Sequence, residues 1–246
     1  MSHPADEEGP VYLRSYLAPL ADLLARTDVT DIFINRPGEI WVENHAGAVE
    51  RHEVPELDET MLARLARQIA ALSHQGISRE HPLLSATLPD GARVQVAAPP
   101  ATRGALALAI RKHVAQDLSL EDYLEAGAFA ETRRRDSLGP SDVDRALAAR
   151  LDAGDISGML AMAVRARKNI LVSGGTSTGK TTFLNALLRE VPAEERLILI
   201  EDTPELSVLQ ENVVALLAAR SELGEAQVSA TDLVAASLRM RPDRII

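Results

Sequence analysis

The chain has 246 residues, of which 46% are hydrophobic and 25% are charged, with a formal net charge of -10. This composition suits a globular protein and excludes general disorder, and the acidic balance argues against nucleic acid held by a general positive field. The absence of cysteine excludes disulfides, thiolate metal sites and a cysteine nucleophile.

The first part of the chain, residues 1–112, has the pattern of a small α/β domain. Alternating apolar residues, Pro-Gly and Asp-Gly turns and helical spacing together predict an antiparallel sheet with accompanying helices. In chain order, the predicted elements are a helix over 11–24, a hairpin of strands 31–35 and 40–43, a helix capped by Asp58, a hairpin of strands 83–88 and 92–98, and a strand over 106–110.

The remaining chain divides into a linker and a region where strands alternate with helices. Residues 113–154 have no sustained period, and we expect helix there around Leu120–Phe129 and Asp142–Leu151. Residues 155–246 predict a parallel sheet with crossover helices. Its predicted elements are strands 169–173, 196–201 and 212–216, a helix from Lys180, and a capping box from Ser229 to Asp232 before a helix over 233–238.

Residues 174–181, GGTSTGKT, match the phosphate-binding pattern G-x-x-x-x-G-K-[ST] without a mismatch. A predicted strand precedes them and a predicted helix follows, which is the context that this motif requires. Glycines allow backbone N–H groups to surround a phosphate, Lys180 can reach the β- and γ-phosphates, and the Thr181 hydroxyl can ligate Mg²⁺. A glycine-rich turn that matches by chance is the competing interpretation.

Glu201 and Asp202 end the strand that follows this helix. Ligands of open parallel sheets bind beyond the carboxyl ends of the strands, so these carboxylates are candidates to orient water or to hold Mg²⁺ through water. Two other interpretations stay open at this point: a solvated pair that ends a strand, and Asp202 as the cap of the next turn.

Several stretches in the same order resemble the type IV secretion traffic ATPases, which belong with pilus-assembly and type II secretion motors to the hexameric secretion ATPases. These stretches are INRPGEIWVE (34–43), HPLLSATLPDGARVQ (81–95), AIRKH (109–113), SLEDYLEAGAF (119–129), RKNILVSGGTSTGKTTFLNALL (167–188), LILIEDTPEL (197–206) and SLRMRPDRII (237–246).

The resemblance implies a PAS-like domain over 1–112, a linker over 113–154 and a partial RecA-like domain over 155–246, with ATP between the two domains. It implies catalytic roles for Lys180, for Glu201 as the glutamate of the family's Asp box, and for Arg241 near the nucleotide. The implied nucleotide-binding residues are Gly174, Gly175, Thr176, Ser177, Thr178, Gly179, Lys180, Thr181, Thr182, Arg93 and Arg111, and the implied metal contacts are Thr181 and, through water, Glu201. For Arg93 and Arg111, an exposed strand charge is the alternative.

The resemblance also implies ATP and Mg²⁺ as cofactors, a homohexamer, contact with inner-membrane components of the secretion machinery, and only indirect contact with the secreted substrate. Sequence-specific nucleic-acid binding is not expected. The acidic start, MSHPADEEGP, is unlike a signal peptide, and no apolar run approaches the length of roughly 18 residues that spans a bilayer. We therefore expect a cytoplasmic protein, and the resemblance implies that it is peripheral at the inner membrane.

One departure from the family pattern concerns the end of the chain. In the family, RPDRII is followed by Gly-Glu and later by a His-containing box, whereas here the chain stops at Ile246 and every histidine lies at or before His113. We expect this chain to bind nucleotide weakly and to hydrolyse little. A non-catalytic nucleotide-binding or assembly module is therefore an alternative, and a pilus or type II secretion ATPase is another.

Overall fold

The computed structural model describes residues 12–113, 119–132, 139–219 and 224–246. The chain forms two compact units. The first comprises Met1–Val114, Ala193–Glu205 and Gln210–Ile246, and the second comprises Ala115–Pro192 and Leu206–Leu209.

The first unit contains a six-stranded antiparallel sheet in the order β3-β2-β1-β6-β5-β4. Both predicted hairpins and the predicted third strand are confirmed, and β3 is an edge strand that the apolar pattern did not reveal. The strands are β1 (Val29–Ile34), β2 (Glu39–Asn44), β3 (Val49–Glu53), β4 (Leu83–Thr87), β5 (Arg93–Ala97) and β6 (Ala107–Arg111).

Helices cover one face of this sheet. Residues 12–17 are helical and lead into a 3-10 turn, Ala18–Leu20, and helix α1 (Ala21–Ala25). Helix α2 (Glu59–Leu72) begins at the predicted cap, since Asp58 accepts a hydrogen bond from the Met61 N–H at 2.7 Å. The buried face of α2 packs with apolar strand residues of the sheet in one core, which includes Leu62, Leu65, Ile69, Ile32, Ile34, Val94, Val96, Leu108 and Ile110.

The other face of the six-stranded sheet packs against a second layer in the same unit. That layer is a three-stranded parallel sheet in the order β8-β7-β9, with β7 (Leu197–Glu201), β8 (Val213–Leu217) and β9 (Arg244–Ile245), and helix α7 (Ala230–Ser237). Small side chains face this layer from the six-stranded sheet, which permits close packing: Ala97, Ala107 and Ala109 share a core with Ile198, Val214 and Leu233. The strands predicted at 196–201 and 212–216 are confirmed as a parallel pair, as is the Ser229 to Asp232 capping box.

The second unit is helical in the part of the chain that the structure describes. Its helices are α3 (Leu120–Glu125), α4 (Asp142–Asp152), α5 (Ile156–Arg165) and α6 (Lys180–Leu188). Ser119 and Ser141 form capping boxes with Asp122 and Asp144, which explains where α3 and α4 begin. The two helices predicted around Leu120–Phe129 and Asp142–Leu151 are confirmed, although α3 ends earlier than expected.

The strand predicted at 169–173 does not form. These residues pair with no strand among the described residues, and Leu171 is 91% exposed. The apolar run has strand character, but a strand requires a neighbour, and in the first unit β7 pairs with β8 on one side and with β9 on the other.

Candidate functional site

Residues 174–179 form an exposed loop that leads directly into helix α6 at Lys180. Gly179 is the N-cap of this helix and has the left-handed backbone conformation, with φ at 84° and ψ at 17°. The first N–H groups of α6 have no intrahelical acceptors, so together with the helix dipole they favour an anion at this end.

Two glycines of the loop, Gly174 and Gly179, suit its geometry. A Cβ atom at Gly174 would lie 2.7 Å from the Thr178 Oγ1 atom, closer than such atoms approach in proteins. A Cβ atom at Gly179 would meet no neighbour within 4 Å, so the requirement there comes only from the positive φ. The loop thus combines the sequence of the phosphate-binding pattern with the conformation that the pattern needs.

The polar side chains of the loop are held by its own backbone. The Thr178 hydroxyl donates to the Gly175 carbonyl at 2.9 Å, and the Lys180 ammonium group donates to the same carbonyl. Lys180 is therefore kept at the loop, where its remaining donors can reach an anion.

Arg93 and Arg111 are direct cross-strand neighbours on β5 and β6. The Arg111 Nε donates to the buried carboxylate of Asp31 at 2.9 Å, which orients the guanidinium group. Both arginines line an open cleft of about 640 Å³ whose other lining includes Gln75, Thr87 and Arg239. Such a cleft, with three guanidinium groups, is suited to an anionic ligand. Arg239 was not predicted to belong to this cleft, although it lies in the SLRMRPDRII stretch.

Glu201 lies at the carboxyl end of β7 and its side chain is only 6% exposed. Its Oε1 atom accepts from the Glu205 N–H at 2.8 Å, and its Oε2 atom accepts from the Arg103 guanidinium. The interpretation of a solvated pair is thus wrong for Glu201, whereas Asp202 is exposed. No sequence signal indicated Arg103, because the two residues are 98 positions apart.

Arg241 has a positive φ of 55° and donates to the Glu43 carboxylate at 2.7 Å. Burial raises the pKa of Glu43, and the neighbouring Arg241 opposes that rise. In this conformation, Arg241 is therefore engaged within the first unit.

A buried polar cluster that the sequence did not predict surrounds the Arg196 side chain, which contacts residues at the end of β1. The Arg196 guanidinium stacks 3.9 Å from the centre of the Phe33 ring and donates to Asn35 Oδ1 at 2.8 Å and to the Met240 carbonyl at 2.9 Å. Burial lowers the pKa of Arg196 to about 9, so it remains protonated at neutral pH. The cluster joins the two sheets of the first unit.

A phosphate-binding loop at the start of a helix, in a chain with antiparallel and parallel sheets, defines a P-loop nucleotide-binding α/β protein. Residues 147–246 match a family model described as type II/IV secretion system protein. The type IV secretion system protein VirB11 of Bartonella henselae is 35% identical over 256 residues, which cover 99% of this chain and 71% of that relative.

Two further comparisons agree. The type IV secretion system protein PtlH of Bordetella pertussis is 39% identical over 241 residues, covering 94% of this chain and 68% of PtlH. The crystal structure of the VirB11 ATPase from the Brucella suis type IV secretion system, in complex with sulphate, has a TM-score of 0.87 at 37% identity and covers 95% of this chain and 69% of that chain. The chain belongs to the family of type IV secretion ATPases that includes VirB11 and PtlH, as its resemblance predicted.

Proposed function

We propose that this chain binds ATP with Mg²⁺ at the 174–181 loop, as the nucleotide-binding subunit of a type IV secretion motor. The observation that carries the proposal is the loop conformation itself: a left-handed Gly179, a helix N-terminus directly after it and Lys180 held at the loop. The exposure of residues 174–179 leaves the loop accessible to a phosphate.

The donor set fits a triphosphate. Backbone N–H groups over Gly174 to Thr182 would surround the β-phosphate, and Lys180 would bind β- and γ-phosphate oxygens. The Thr181 hydroxyl would contact Mg²⁺, which when bound bridges phosphate oxygens and neutralises their charge.

Arg93 and Arg111 would bind phosphate oxygens through the guanidinium donors that face the cleft. The cleft around them, and the fixing of Arg111 by Asp31, support this role. Glu201 would accept a hydrogen bond from the attacking water or from a water on Mg²⁺, and Arg241 would act near the nucleotide after leaving Glu43.

The wider setting is also part of the proposal. We propose a PAS-like domain over 1–112, a linker over 113–154 and an ATPase domain from 155, in a self-associating ring at the cytoplasmic side of the inner membrane. The names of VirB11 and PtlH as type IV secretion system proteins support contact with that machinery. Among the described residues, none of the helices has both the length and the apolar character needed to cross a bilayer.

Isothermal titration of ATP into the Lys180→Ala variant tests the nucleotide site. Removing two charge-assisted hydrogen bonds should weaken ATP affinity by about 100-fold. Lys168→Ala is the matched control, since Lys168 pairs with Asp144 and should leave affinity unchanged. Unchanged affinity in Lys180→Ala would refute the site, and phosphate release measured in parallel would separate a hydrolysing subunit from one that binds without turnover.

A further inference from the structure

The loop between β5 and β6 extends onto the edge of the parallel sheet in the first unit. The Arg103 N–H donates to the Ala215 carbonyl at 3.0 Å, and the Leu217 N–H donates to the Ala101 carbonyl at 2.9 Å. Thr102 forms an antiparallel bridge with Leu216 between them. Two backbone hydrogen bonds therefore hold this loop segment as a short addition to β8.

This docking brings Arg103 to Glu201. Leu217 is in register with Glu201 across β8 and β7, so a long side chain next to the β8 edge can span the single intervening strand. The Arg103 guanidinium forms an ion pair with the Glu201 carboxylate, and the Arg103 side chain remains 27% exposed while that of Glu201 is 6% exposed.

The contacts of the Glu201 carboxylate set its orientation. The Glu205 N–H binds one carboxylate oxygen and Arg103 binds the other, so the plane of the group is defined from both sides. A buried carboxylate also requires a partner for its charge, which Arg103 supplies. A carboxylate held in this way directs its lone pairs along defined lines, as a group that orients water must do.

We propose that Arg103 is a positioning residue for ATP hydrolysis, which holds the Glu201 carboxylate in the orientation that directs water. The proposal rests on the role proposed above for Glu201. It makes the residues between β5 and β6 part of the reaction machinery, although Arg103 itself need not touch nucleotide.

Single-turnover release of radiolabelled phosphate, which detects slow hydrolysis, and ATP titration on the 246-residue chain test this role together. Arg103→Gln should lower the rate of hydrolysis by about 10- to 100-fold, the range typical when a residue that orients a metal ligand is mutated, with little change in ATP affinity. Arg103→Lys should recover part of the rate, because it restores the charge without the fork of donors.

Two further variants separate this role from general stabilisation. Arg79→Gln is the matched control. Arg79 also forms an ion pair with a glutamate that is distant in sequence, Glu225, but both side chains of that pair are exposed. It should leave the rate unchanged. The double variant Arg103→Gln with Glu201→Gln should be no slower than Glu201→Gln alone, because Arg103 acts through Glu201.

The outcomes are distinguishable. If Glu201→Gln hydrolyses ATP as fast as the wild-type chain, Glu201 has no role in hydrolysis. This inference then fails with it, whatever the rate of Arg103→Gln. A rate that falls in Glu201→Gln but not in Arg103→Gln would overturn the inference alone. Equal losses in Arg103→Gln and Arg103→Lys, with a lowered urea midpoint in both, would show a structural role and would also overturn it.

Discussion

The left-handed conformation of Gly179 allows a sharp test of the loop geometry. Alanine at this position would fit the same space, since no atom lies within 4 Å of the place that its Cβ would occupy, but it would have to adopt a φ of 84°. That conformation costs an L-residue other than glycine about 1–2 kcal/mol. The Gly179→Ala variant can remove this strain only by leaving the conformation that the loop now has.

The strain lowers the fraction of molecules whose loop has the conformation that binds ATP. If binding needs the present loop conformation, a penalty of about 1–2 kcal/mol reduces the competent fraction, and hence the apparent ATP affinity, by roughly 5- to 30-fold. Gly179→Asn should lose less, because asparagine adopts the left-handed region more readily than alanine. Isothermal titration of ATP into the three proteins gives the ranking.

Gly154 provides the matched control for this experiment. It follows the last residues of α4, has a φ of 74° and likewise has no atom within 4 Å of a Cβ position. Gly154→Ala therefore introduces comparable backbone strain at a position outside the loop, and should lower thermal stability without changing ATP affinity. Equal ATP affinities for Gly179→Ala and wild type would refute the claim that binding requires the left-handed residue.

Two further predictions concern charges. Arg111→Glu should weaken ATP binding more than AMP binding, because only ATP carries β- and γ-phosphates; equal losses in competition titrations would contradict a phosphate role. Hydrogen bonds from the Lys168 ammonium, and then from the Ser141 hydroxyl and N–H, lower the pKa of Asp144 from 3.8 to about 2. The stability that ionised Asp144 contributes is therefore present above about pH 3.8 and is lost as the pH falls toward about 2. Lys168→Ala should raise the pKa of Asp144, as measured by carboxyl NMR, and an unchanged pKa would exclude the pair in solution.

Local chemistry made much of the fold predictable. The apolar run that forms the end of β1 marked it as a strand, although only the structure shows that Ile32 and Ile34 enter one core and Phe33 the other. Asp58 and Ser229 marked helix starts through their side-chain acceptors. The phosphate-binding loop was likewise predictable, because its conformation depends on glycines at fixed spacing.

Features that depend on distant partners were not predictable. Strand β3 (Val49–Glu53) is a half-exposed edge strand with polar residues, so no apolar alternation marked it. The run at 169–173 has strand composition but no strand partner among the described residues. The pairing of Arg103 with Glu201 depends on where a loop docks in three dimensions, and nothing in the local sequence encodes that.

A structure of this chain bound to a non-hydrolysable ATP analogue and Mg²⁺ tests the nucleotide site most directly. We expect the β-phosphate within hydrogen-bond distance of the 174–181 backbone, Lys180 donating to phosphate oxygens instead of the Gly175 carbonyl, and the Thr181 hydroxyl on the metal. An analogue bound elsewhere, with Lys180 still donating to Gly175, would contradict it.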